Sequence, residues 1–298
     1  MLGLILLVVS TYAQAGLQEG LDAYANRIYP LALREFKVLA ANGDAEAQYQ
    51  VGYMYQNGQG TAQDPYAAVF WYRKAAEQGD ARAQVNLGIM YGRGQGVERD
   101  FNQALAWYRT AAAQNDADAQ YNVGWMYDFG RGVTQDKKEA IVWYRKAAEQ
   151  GHVKAQYTLG WMYSNDKHTA QDYSAAMSWY HKAAEQRYVK AQSNLGWMYE
   201  RGQGVPANPQ LAAEWYRKAA EQGYAVAQLN LGLLYTKNEG MKVDMVEAYK
   251  WFTLAAVGRN ETARIYLEEF EKVMSSEQVN NAQALAEKMI ARNSAAMP

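Results

Sequence analysis

Cysteine is absent from the 298 residues, which excludes disulfides and thiolate metal sites. Histidine is nearly absent, with three residues, His152, His168 and His181, in different elements. None has a second histidine at helical ligand spacing, so no metal site is read from them. Proline is scarce at five, which suits packed helices more than a loop-rich or sheet fold. Neither charge sign dominates, with 30 Lys and Arg against 31 Asp and Glu, and this removes the basic footprint of a nucleic-acid binder. Long apolar runs are missing too. The run Leu2 to Val9 is too short to span a bilayer.

That run has another meaning. It is followed by Thr11-Tyr12 and then Ala13-Gln14-Ala15, an Ala-x-Ala pattern, so residues 1–15 read as a secretory signal peptide cut after Ala15. The expected location is periplasmic or secreted. No basic residue precedes the run, the first being Arg27, so a cytoplasmic chain is the alternative.

What the chain has in quantity is repetition. Trp-Tyr falls at Trp71-Tyr72, Trp107-Tyr108, Trp143-Tyr144, Trp179-Tyr180 and Trp215-Tyr216, then as Trp251-Phe252, each step being 36 residues. In the same phase run an Ala-Gln pair, from Ala47-Gln48 to Ala227-Gln228, and a glycine, from Gly52 to Gly232. Each copy predicts two helices. In the third copy, helix A covers roughly Asp116 to Phe129 and helix B roughly Asp136 to Gln150. Helix B opens at a capping column of Asp64, Asp100, Asp136, Asp172, Asn208 and Asp244. It closes at Gly79, Gly151 and Gly223, where a left-handed cap is cheap, with Asn115 and Arg187 in the same column. Between the helices lie loops such as Gly94-Gln95-Gly96. They lack the third glycine and the strand of a dinucleotide site and read as turns. The expected organisation is a signal peptide at 1–15, a degenerate half-repeat at 16–42, six repeats over 43–258, and capping helices over 259–298. Ser275 to Gln278 forms the capping box of a last helix directed towards Ile290.

The string Ala-Glu-Ala-Gln-Tyr-x-Val-Gly-x-Met-Tyr, then Gly-x-Gly, then Trp-Tyr-Arg-Lys-Ala-Ala-Glu-Gln-Gly resembles the Sel1-like repeat family, a relative of the tetratricopeptide repeat. The resemblance implies an all-α, right-handed superhelical solenoid with helix A on the concave side. It also implies a scaffold or adaptor role.

Helical periodicity divides helix A of the third copy into two faces. Ala119, Val123, Met126 and Tyr127 are expected in the core. Asp118, Tyr121, Asn122, Trp125 and Asp128 are expected on the other face, which varies between copies. That face carries one aromatic column containing Tyr49, Tyr121 and Tyr157 and a second containing Tyr53, Trp125, Trp161 and Trp197. Beside them runs an amide column containing Asn86, Asn122, Asn194 and Asn230. Two readings stand for these residues. The rings and amides pack and bond between neighbouring helices, or they form a groove for a partner segment. Aromatic rings supply rigid contact area at binding hot spots. In some tetratricopeptide superhelices the similar amide position holds the backbone of an extended peptide. Charge along this face runs from Glu46 and Asp118 to Lys154 and Lys190, with Arg82 out of order.

The leading expectation is a non-catalytic adaptor that binds another protein, as an extended peptide or a helix, without a cofactor. Rings with amides also suit sugar faces, so envelope glycan or peptidoglycan is the alternative ligand. A third reading is an enzyme acting on β-lactams or cell-wall peptides. It rests on Ser164-Asn165-Asp166-Lys167, which matches the Ser-x-x-Lys element without its supporting motifs.

Overall fold

The computed structural model describes residues 15–165 and 171–295. The proposed signal peptide, apart from Ala15, and Lys167 and His168 lie outside the described residues. The chain divides into two compact units, Met1–His152 and Val153–Pro298. All regular structure among the described residues is helical. Unit 1 holds α1 (15–25), α2 (Tyr29–Ala41), α3 (Ala45–Asn57), α4 (Pro65–Glu77), α5 (Ala81–Arg93), α6 (Phe101–Ala113), α7 (Ala117–Phe129) and α8 (Lys137–Glu149). Unit 2 holds α9 (Val153–Asn165), α10 (Tyr173–Glu185), α11 (Val189–Arg201), α12 (Pro209–Ala220), α13 (Ala225–Thr236), α14 (Met245–Val257), α15 (Glu261–Glu271) and α16 (Ser276–Ala295).

Caps set these boundaries. Asp64, Asp100, Asp136, Asp172, Asn208 and Asp244 each accept a bond from a first-turn amide of the helix B they precede. Pro65 and Pro209 take the first helical position, where the missing N–H costs nothing. Helix B ends in a left-handed residue throughout, with φ 96° at Gly79, 66° at Asn115 and 63° at Arg187. Arg187 therefore adopts the same conformation as the glycines, and the turn survives without one. The expected half-repeat at 16–42 carries both helices of a pair, α1 and α2, with a short connection. At the other end Ser275 and Gln278 exchange the two bonds of a capping box, 3.0 and 3.2 Å, and α16 runs on past Ile290 to Ala295.

Each pair is locked by a glycine of helix A against a ring of helix B. A Cβ on Gly52, Gly88, Gly160 or Gly196 would lie within 2.8, 2.6, 2.6 and 2.5 Å of Tyr72, Tyr108, Tyr180 and Tyr216 respectively. Gly20 and Phe36 repeat the contact in the first pair, at 2.6 Å. These rings are buried, Tyr72 and Tyr216 completely.

A buried tyrosine hydroxyl needs a partner. For Tyr72, Tyr144, Tyr180 and Tyr216 it stands four residues after the glycine, one turn further along the same helical face, whereas for Tyr108 that position is Gly92. Tyr72 donates to Gln56 at 2.6 Å, Tyr144 to Asp128 at 3.1 Å and Tyr216 to Glu200 at 2.9 Å, while Tyr180 lies 3.2 Å from the Ser164 hydroxyl. One expectation is corrected here. Asp128 does not lie on the open face: it is buried, bonded to Tyr144 and ion-paired with Lys137. The reason is its register with Gly124. Ser164 is likewise buried, its Oγ 2.9 Å from the Gly160 carbonyl, so it serves the Tyr180 hydroxyl and the capture of its own helix backbone.

The Ala-Gln column forms a second polar system. Gln48 donates to the Ala40 carbonyl at 3.1 Å and accepts from Gln78 at 2.8 Å. The acceptor bond recurs between Gln114 and Gln84, Gln150 and Gln120, Gln186 and Gln156, and Gln222 and Gln192, at 2.7–2.9 Å. At Gln228 the donor position is Gly258, and the Gln228 Oε1 is left buried without a partner. A Cβ on Gly258 would lie 2.8 Å from Ala225, so the close approach of α13 excludes the missing side chain.

Two outcomes follow for stability. Gly88 and Gly92 sit on the same helix, but a Cβ on Gly92 meets only Ala104 at 3.8 Å. Gly88→Ala is expected to destabilise by about 1–3 kcal/mol through overpacking. Gly92→Ala is expected to be neutral or to stabilise by up to ~1 kcal/mol through helix propensity. Thermal and urea unfolding of the two variants check this. The second outcome concerns alkali. Burial raises the pKa of Tyr72, Tyr108, Tyr144 and Tyr216 well beyond the ordinary tyrosine range, helped at Tyr144 and Tyr216 by the adjacent carboxylates, and pushes Tyr180 up to about 12. A folded pKa above the unfolded value of about 10 gives stability that is complete below that value and lost as pH rises through the folded one. Phenolate absorbance should show a subset of tyrosines that stays silent on raising the pH from about 10 and ionises together with loss of helicity.

Candidate functional site

The core face of helix A is filled by Ala, Gln, Val or Leu, Gly and Met, all buried. The opposite face is where the aromatic and amide columns stand, and the structure gives them different duties.

In the first column, Tyr49, Tyr121 and Tyr157 are half-buried. Their rings pack on the core tyrosine of their own pair, at 5.9 Å from Tyr72, 5.4 Å from Tyr144 and 5.8 Å from Tyr180. Each is covered from the start of the next helix A. Arg82 sits 4.2 Å above Tyr49, His152 stacks on Tyr121 at 4.7 Å, and Tyr188 meets Tyr157 at 5.1 Å. The amide column is tied to the same rings. Asn86 stands beside the Tyr72 side chain, Asn194 beside those of Tyr180 and Tyr157, and Asn230 beside that of Tyr216, each lowering a pKa that burial raises. Asn122 is half-exposed. Both of these columns therefore pack between neighbouring helices and stay half-buried.

The second column differs. Tyr53 lies 6.3 Å from Tyr49, and Trp125 packs on Phe129 at 5.2 Å and on the cluster around Val85 and Leu105, so both are half-buried. Trp161 and Trp197 are not held this way. They are 44% and 37% exposed, at equivalent positions of α9 and α11 in unit 2. Asn194 lies between them in sequence, one turn before Trp197. Charge sharpens the difference. Arg82, out of order in the sequence gradient, is ion-paired with Glu46 and Asp80, and Asp118 lies 3.0 Å from His152. Lys154 and Lys190 stand exposed, two helical turns before Trp161 and Trp197.

Sequence reasoning missed one column. Asp44, Asp80 and Asp116 cap α3, α5 and α7, accepting from the third helical amide at 2.7–2.9 Å. The same position holds His152, Tyr188 and Tyr224 before α9, α11 and α13, and the last two make no side-chain cap. Giving up a cap costs about 1 kcal/mol. The ring that replaces it covers the preceding aromatic column, as Tyr188 covers Tyr157. Writing this column out beside the others would have revealed the switch.

Among the described residues no group of three or more His, Asp or Glu is placed to hold a metal ion, and no helix is long and apolar enough to cross a membrane.

Comparison with known proteins adds the following. The Sel1 repeat matches at residues 45–80, 81–116, 117–152, 153–188, 189–224 and 225–256. Among solved structures, a Sel1 repeat protein from Oxalobacter formigenes is 37% identical, with 81% of this chain and 99% of that one covered and a TM-score of 0.74. The protective antigen c5321 of uropathogenic Escherichia coli, which displays an SLR fold, is 30% identical over 94% of this chain and 68% of that one, with a TM-score of 0.57. Comparison with curated proteins gave no match. Sel1-repeat proteins are generally protein-interaction scaffolds, and the repeat family is non-catalytic. Six consecutive matches over most of the sequence, on helix pairs of this geometry, establish that the chain belongs to the Sel1 repeat family.

Proposed function

We propose that this chain is a non-catalytic scaffold of the cell envelope that holds an extended segment or a helix of a partner protein against its helix-A faces. The observation that carries this reading is the pair Trp161 and Trp197. Two large indoles exposed at the same register of successive A helices, on rigid elements, have the composition of a binding hot spot. Asn194 and Asn230, with N–H and C=O groups on their half-open side, suit a peptide backbone. In unit 1, Tyr49, Tyr53, Tyr121 and Trp125 with Asn86 and Asn122 offer a flatter face, since their rings are half-buried. Lys154 and Lys190 favour an acidic segment at the unit 2 face. The apolar run and Ala-x-Ala pattern of residues 1–15 support a periplasmic or secreted location. Ser164 is engaged by Tyr180 and the helix backbone, which gives no support to a nucleophilic role.

Crosslinking pull-down from an envelope fraction tests this, comparing the full chain with Trp161→Ala/Trp197→Ala at equal helicity. One protein enriched by the wild type should be lost with the variant. Removing hot-spot tryptophans costs about 2 kcal/mol or more, roughly thirtyfold in affinity. Identical protein profiles would sink the reading. If binding to peptidoglycan fragments then proved sensitive to the same substitutions, the indoles would serve sugar faces instead.

A further inference from the structure

A separate feature lies in unit 2. It is a cavity of about 800 Å³ between α12, the end of α13, α14 and the last helix α16. That size falls within the range of about 300–1,000 Å³ typical of small-molecule sites.

The construction of α16 explains why the cavity exists. Ala282 and Ala286 are completely buried, and Ala286 belongs to the cluster around Tyr216 and Trp251, so two small side chains bring α16 close to the body of the unit. Trp251 is thereby buried to 2% exposure, whereas Trp215, one repeat earlier, is half-buried. A second stripe of α16, Leu285, Lys288 and Met289, and Arg292, follows at intervals of three to four residues and faces the cavity.

The charge on its walls is lopsided. Arg217, Lys250, Lys288 and Arg292 are set against Glu221 and Glu247. Glu247 is committed, since both its oxygens take Lys250 at 2.6 Å and one accepts from the Trp251 indole at 3.1 Å. Arg217 donates to the Tyr235 hydroxyl at 2.6 Å, a partner that carries no opposite charge. Arg217, Lys288 and Arg292 thus converge on one space with Glu221 as the remaining carboxylate, while Leu285 and Met289 add an apolar wall. Guanidinium groups suit planar or tetrahedral oxyanions through paired N–H donors.

We propose that this cavity binds a small organic anion, a carboxylate or phosphate carried on an apolar body. The anion sits between Arg217, Lys288 and Arg292, and the body lies against Leu285 and Met289.

Isothermal titration of the full chain with phenyl phosphate and with benzoate tests this, the tighter of the two identifying the headgroup. Saturable one-to-one binding is expected, weakening as ionic strength rises. Lys288→Gln and Arg292→Gln, both at exposed positions, should each weaken it about tenfold, the effect of losing a bond to a charged group. Arg217→Gln should do the same, and Lys288→Gln keeps the test intact if loss of the Tyr235 bond disturbs folding. Arg34→Gln on α2 removes an equal charge far from the cavity in sequence and should leave binding unchanged. No saturable binding up to millimolar probe would overturn the proposal, as would losses that Arg34→Gln matches.

Discussion

A glycine of one helix pressed on the ring of a tyrosine or phenylalanine from the next sets the distance within each helix pair, and the other features of this chain adjust to it. Any side chain at Gly88 or Gly196 would overlap Tyr108 or Tyr216. Close-packed interiors do not absorb such overlap, because neighbouring rings have nowhere to move. The spacing is thereby fixed in the same way in each pair. The lengths of the helices, thirteen residues in most cases, follow from caps placed at matching points.

The tyrosine ring brings a hydroxyl with it, and this polar tip gives the copies their individuality. Its partner is Gln56, Asp128, Ser164 or Glu200 for Tyr72, Tyr144, Tyr180 or Tyr216, with Asn86, Asn194 or Asn230 beside three of these rings from the next helix A, while beside Tyr108 the equivalent position is Gly92. The copy with Phe252 has no hydroxyl to satisfy, and its Thr236 turns back to the Leu233 carbonyl at 2.7 Å. A variable column therefore need not be a binding column. Trp161 and Trp197 are of another kind: exposed to 44% and 37%, they leave the packing within each pair to other side chains.

Much of the fold was legible because its determinants are local and periodic. The Trp-Tyr, Ala-Gln and glycine columns, the aspartate caps before helix B and the Ser275–Gln278 box all act within a few residues or at a constant interval. The site was less legible because its residues act across pairs. Asp128 looked open in a two-face projection of one helix, yet its position a turn beyond Gly124 aims it at the Tyr144 hydroxyl. The role of Asn86 depends on Tyr72, which lies on another helix of the preceding repeat. The first pair was hidden because Phe36 replaces the tyrosine and the connection is shorter, although Gly20 keeps the contact. Arg82 looked like an exception to a charge gradient and is instead the partner of Glu46 from the repeat before.

The dependence of the fold on the glycine–ring contact is open to one decisive measurement, a double-mutant cycle between Gly196 and Tyr216 in equilibrium urea unfolding. The account predicts that Gly196→Ala is costly in the wild-type background and nearly free, or favourable, once Tyr216→Leu has removed the ring, a coupling of about 1 kcal/mol or more. Costs that add to within ~0.5 kcal/mol would mean that the glycine is not there for the ring, and would contradict the account at its base.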